Sequence, residues 1–132
     1  MLSRLHIRNF VIVDALELEL GPGMTVLTGE TGAGKSILVD ALGLALGDRA
    51  DASVVRSGAE RAEIAAAFDV RDVPAARAWL EEMGLAADDE CLLRRVVGRD
   101  GRSRAFVSGS PVPLQTLQQL AEHLVDIHGQ HA

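Results

Sequence analysis

Glycine, lysine and a hydroxyl side chain fall in a fixed order in Gly29-Glu30-Thr31-Gly32-Ala33-Gly34-Lys35-Ser36. The spacing is G-x-x-x-x-G-K-[ST], and the chemistry it suits is capture of a polyphosphate. Gly29, Gly32 and Gly34 permit backbone angles and close approaches that a side chain would block. Successive amide N–H groups can then wrap an anion. Lys35 brings an ammonium to the β- and γ-phosphates, and the Ser36 hydroxyl is a ligand for Mg²⁺. These residue types in this order imply binding of a nucleoside triphosphate.

Such a loop works only between a strand and a helix, and the flanking residues supply both. Met24-Thr25-Val26-Leu27-Thr28 reads as a short buried strand, and Ile37 to Leu46 as a helix almost without polar residues. The positive end of that helix dipole then faces the phosphates. Gly47 is placed to end the helix. Upstream, Leu5 to Phe10 and Val13 to Leu20 alternate apolar and polar side chains as half-buried strands, with Gly21-Pro22-Gly23 as the turn into the next strand.

Asp48 to Gly58 reads as an irregular connection, and Arg61 to Val70 as a strand that its alanines weaken. Pro74 to Met83 has helical spacing, with Trp79 and Leu80 as anchors and Gly84 as a cap. Glu90–Val97 and Arg104–Ser108 flank Asp100-Gly101, a hairpin turn signal. Gly109-Ser110-Pro111 is expected as a further turn, Pro113 to Glu122 as a helix and His123 to Ile127 as a last strand. The residues alone give an α/β chain with an antiparallel hairpin region.

At 132 residues the chain holds one domain's worth of sequence, enough to bury roughly two-thirds of its unfolded surface. The single Cys91 excludes an internal disulfide and fits a reducing cytoplasm; its apolar setting marks it as a buried structural thiol. Apolar runs are too short to span a bilayer, and Met1 to His6 lacks the features of a secretory signal. The net charge of −6 argues against a broad, non-specific nucleic-acid binder, though not against a local basic patch. A self-contained phosphate-loop enzyme also needs a second strand ending in an acid, and Asp126 is the one candidate. The expectation is therefore half of an active site.

Further matching stretches go beyond the phosphate loop. They are Ile7-Arg8-Asn9-Phe10-Val11-Ile12-Val13-Asp14, Leu27 through Ser36, Asp40-Ala41-Leu42-Gly43 and Gly47-Asp48-Arg49-Ala50-Asp51. Together they resemble the N-terminal lobe of an ABC-type ATPase head of the SMC (structural maintenance of chromosomes) class. Leu93-Arg94-Arg95-Val96-Val97, Arg99-Asp100-Gly101-Arg102-Ser103-Arg104 and Val125-Asp126-Ile127-His128-Gly129-Gln130-His131 narrow the resemblance to a bacterial DNA-repair branch of that class.

The resemblance implies a P-loop NTPase fold of the α/β class. Residues 1–132 form the N-terminal half of a head, with a mixed sheet and antiparallel hairpins. It implies ATP and Mg²⁺ as ligands, held by Asn9, Gly29, Glu30, Thr31, Gly32, Ala33, Gly34, Lys35 and Ser36. Gln130 then matches the glutamine-loop residue that joins Ser36 on Mg²⁺ and orients the attacking water beside Lys35. Val11 stands where many such heads carry an arginine. The implied partners are the C-terminal lobe of the same protein beyond a coiled coil, a second copy of the head, and DNA. A fragment lacking the other lobe should not turn over ATP alone.

Weaker constellations remain. Arg94, Arg95, Arg99, Arg102 and Arg104 crowd one hairpin, either as a phosphate-backbone contact or as solvated arginines outside a core of Leu92, Val96, Phe106 and Val107. His123, His128 and His131 lack the companions of a zinc site. Arg49 and Arg56 could reach a neighbouring head or the nucleotide, or simply cap the surface. Two other functions stay open: a compact phosphotransferase that uses Asp126, and a non-catalytic module in which the nucleotide only joins two heads.

Overall fold

A computed structural model describes residues 2–19, 32–85 and 89–124, with the side chains of residues 32–35 outside that description. Within these residues six strands form one sheet in the order β2-β1-β3-β4-β5-β6. They are β1 (Leu2–Phe10), β2 (Val13–Glu19), β3 (Arg61–Asp69), β4 (Glu90–Gly98), β5 (Ser103–Val107) and β6 (Ser110–Val112). Every pairing among them is antiparallel. The expected Met24–Thr28 strand lies outside the described residues, as do Gly29, Glu30, Thr31 and Gln130.

Among the described residues three α-helices accompany the sheet: α1 (Gly32–Ala45), α2 (Pro74–Glu82) and α3 (Leu114–Leu124). Helix α1 packs on β3, β4 and β1, while α3 packs on β5 and α2. Small residues meet at the α1 contact. Ala41 and Ala45 on the helix and Ala62 and Ala66 on β3 are all fully buried. The alanines that lower β propensity thus let a helix close onto the strand, so packing outweighs propensity. Ile7, Ile64, Leu93 and Val107 complete the inner face of the sheet, and Leu80, Leu117 and Leu120 join the same core from α2 and α3.

Turn chemistry read from the sequence is realised at several points. Gly47 ends α1 with φ +114°, and the Asp48 N–H bonds the Gly43 carbonyl at 3.0 Å while Gly47 N–H bonds Leu44. That is the pattern of a Schellman cap. Gly84 closes α2 in the same way, its neighbour Leu85 donating to the Leu80 carbonyl at 2.8 Å. Gly101, with φ +87°, turns the β4–β5 hairpin.

Three expectations are corrected. Helix α1 begins at Gly32, not Ile37, so four motif residues belong to its first turn. Ser110–Val112 is an edge strand rather than a turn, because Ser108 and Gly109 alone reverse the chain with φ +50° and +89°. An edge tolerates the missing N–H of Pro111. His123 and Leu124, read as the start of a strand, extend α3 instead; there the His123 ring lies 6.0 Å from that of Trp79.

Candidate nucleotide-binding site

Gly32 to Lys35 form the N-terminal turn of α1, and Ser36 follows with its side chain exposed. The unpaired N–H groups of a first helical turn carry the positive pole of the dipole, so the motif sits where an anion is favoured. Glycines at 32 and 34 within that turn are poor helix formers. Their placement makes sense where a ligand needs backbone rather than side chains.

Asn9 lies at the end of β1 in the left-handed region, φ +52°, which asparagine tolerates well. Its carbonyl accepts the Arg56 N–H at 2.8 Å, and the Val11 N–H donates to the Val54 carbonyl at 2.8 Å. Val11 has φ +56°, a strain of about 1–3 kcal/mol for a β-branched residue. These bonds tie the β1–β2 turn to the connection after α1, where Asp51 caps a short 3₁₀ turn at Ala52–Val54. Asn9 and Arg56 thereby line one recess together with Gly58 and Arg61. Arg49 is exposed at the other end of the connection.

The hairpin arginines divide between the two faces of the sheet, and on β4 the structure reverses the expected core, while Val107 on β5 is buried as expected. Leu92 is 39% exposed and Val96 half-buried, while Cys91, Leu93, Arg95 and Val97 point inward. On the outer face Arg94 pairs with Glu63 at 2.7 Å and lies 4.8 Å from the centre of the Phe106 ring. Arg99 Nη1 donates to the Ala59 carbonyl at 2.9 Å. Arg61, Arg94, Arg99, Arg102 and Arg104 line one concavity, with Glu60 and Asp100 the acids in its lining. Cys91 is fully buried, and burial pushes its thiol up to about 11 against a hydrogen bond from Ser108.

Arg95 is the residue that sequence reasoning missed. It is 0% exposed. Its Nη1 donates to the Leu44 carbonyl at 2.8 Å and to the Asp48 carbonyl at 2.7 Å, both at the C-terminal end of α1. Nη2 donates to Ser103 Oγ at 3.2 Å, and Nε has no partner among the described residues. Burial lowers the affinity of this guanidinium for its proton, and Asp48 opposes that shift. Removing a lone charge from water costs several kcal/mol. Hydrogen bonds from a charged donor contribute about 1.5–3 kcal/mol each, and the negative pole of α1 adds to them. Alternation did not reveal it, because the doublets Leu92–Leu93 and Val96–Val97 place apolar side chains in either phase of the strand.

An antiparallel sheet backing a helix that opens in a phosphate motif matches the fold of solved SMC head domains. The AAA domain family matches residues 4–108, and the chain belongs to it. Its sequence is similar to the N-terminal region of the DNA repair protein RecN. RecN of Vibrio cholerae is 55% identical over 132 residues, all of this chain and 24% of its own length. RecN of Bacillus subtilis is 39% identical over 132 residues, 99% of this chain and 23% of its own. The chain thus spans about a quarter of the length of the curated relatives it matches.

Solved structures agree on the fold. An SmcHead bound to the C-winged helix domain of ScpA superposes with TM-score 0.78 at 21% identity, covering 94% of this chain and 41% of that one. A structure from work on ATP-driven dimerization and DNA-stimulated activation of SMC ATPases gives 0.76 at 22%, covering 93% and 78%. The recombination mediator RecF in the RecFOR pathway gives 0.67 at 18%, covering 89% and 29%.

Proposed function

We propose that this chain is the ATP-binding lobe of an SMC-like ATPase acting in DNA double-strand-break repair and recombination in the bacterial cytoplasm. The observation that carries the reading is the position of Gly32 to Lys35 as the first turn of a helix anchored on the sheet. ATP is the substrate. The loop amides of residues 29–34 and the Lys35 ammonium neutralise its phosphates, and Asn9 approaches them from β1. Ser36, whose side chain is exposed, and Gln130 would hold Mg²⁺, which would supply charge stabilisation at the phosphates. Gln130 also orients the attacking water.

A carboxylate from a C-terminal lobe completes hydrolysis, and a second head closes over the nucleotide. Support for a covering lobe comes from α1, which is apolar on nearly all sides yet packed on one. Val39 is 68% exposed, and Ile37, Leu38 and Leu42 are only partly buried. A helix hydrophobic all round belongs in an interior. The outer arginine concavity supports contact with DNA by the intact protein.

Substituting Lys35→Ala in the full-length protein should cut ATP turnover by roughly 10- to 150-fold, since a charged hydrogen bond worth about 1.5–3 kcal/mol is lost from the phosphates. Turnover at the parent rate in that variant would remove Lys35 from the mechanism.

A further inference from the structure

We infer that Arg95 is a positioning residue for the phosphate loop, acting through the far end of α1. The inference rests on the nucleotide-binding reading above and names a residue which that reading does not use.

A buried arginine is an odd choice for a strand interior, where an apolar side chain of similar volume packs at less cost. What arginine supplies is a planar fork. One Nη1 spans the Leu44 carbonyl, inside the last turn of α1, and the Asp48 carbonyl, just past its cap. Nη2 reaches Ser103 on the neighbouring strand β5. The C-terminus of α1 is thereby tied at once to β4 and β5. A third tie comes from Gln118 on α3, whose Nε2 donates to the Gly47 carbonyl at 2.8 Å.

Helix α1 has 14 residues, so its two ends lie about 21 Å apart. An α-helix is stiff along its axis because every turn is hydrogen-bonded to the next. Fixing the axial position and rotation of the Leu44 end therefore fixes where Gly32 to Lys35 present their N–H groups. The remaining α1 contacts are apolar and without direction: Ala41, Leu44 and Ala45 are buried in the core, and Ile37, Leu38 and Leu42 are partly buried against it. Such surfaces resist separation better than sliding. Directional bonds at the C-terminal end supply the missing constraint.

The test uses the full-length protein with Arg95→Met, Arg95→Lys and Ser103→Ala, measuring MgATP affinity by fluorescence titration, the melting temperature and amide exchange of residues 32–36. Arg95→Met removes the fork and also the buried charge, so its melting temperature should change little. Its MgATP affinity should fall about tenfold, as expected for a sub-ångström misplacement of binding groups, with faster exchange at residues 32–36. Arg95→Lys, which keeps the charge but not the fork, should recover only part of that affinity. Ser103→Ala should give a smaller loss in the same direction.

A stable Arg95→Met protein with parent affinity and parent exchange overturns the inference. So does an affinity loss that merely tracks the melting temperature across the three variants. Should Arg95→Met not fold, the other two variants carry the same comparison. A parent protein that binds no MgATP overturns the nucleotide reading itself, a distinguishable result that removes this inference with it.

Discussion

Lys35 and Cys91 show two fates of a reactive side chain. Lys35 stands in the first turn of α1, where its charge adds to the dipole. Cys91 is buried at 0% exposure with its thiol raised from 9.0 to about 11. The folded protein keeps a proton that the unfolded chain releases in that interval. Its contribution to stability is therefore complete below pH 9.0 and fades as the pH rises toward about 11. Urea midpoints of the parent and Cys91→Ala should converge as the pH is raised across that window. Iodoacetamide should modify Cys91 only after unfolding, and rapid labelling of the native protein at pH 8 would contradict its burial.

Turns and caps decide how the elements meet. Gly47 holds φ +114°, and a Cβ there would lie 2.5 Å from Gln118 Cγ and 3.2 Å from its Cα, at the contact between the end of α1 and α3. Gly58 has a comparable φ of +88° but open space around it. Gly58→Ala should cost about 1–2 kcal/mol from backbone strain alone. Gly47→Ala adds overpacking and should cost about 2–5 kcal/mol. Chemical denaturation of both variants measures the difference, and equal losses would mean that the α1–α3 contact carries no weight. The adjacent apolar pairs Leu92–Leu93 and Val96–Val97 explain why the inner face of β4 was misjudged. Either phase of the alternation buries apolar side chains, so period-2 patterning has no unique answer there.

At the scale of the molecule, the lobe presents α1 with one side packed and the other open. Mixing this chain with the remaining C-terminal part of the full-length protein should cover Val39 and produce Mg-ATP hydrolysis that neither part shows alone. Phosphate release, measured with and without linear DNA, checks this. Equal turnover by the 132-residue chain by itself would favour a compact phosphotransferase using Asp126.

Composition and local pattern by themselves determined the phosphate motif, the turns at Gly47, Gly84 and Gly101, and most of the described strands and helices, because each depends on neighbours within a few residues. Only the tertiary structure decided that Arg95 faces inward onto a carbonyl 51 positions away, and that Gln118 meets Gly47 across 71. The same holds for Asn9 beside Arg56. Such pairings arise from how a sheet stacks against a helix, and an apolar doublet in a strand does not encode which of its two faces that helix will cover.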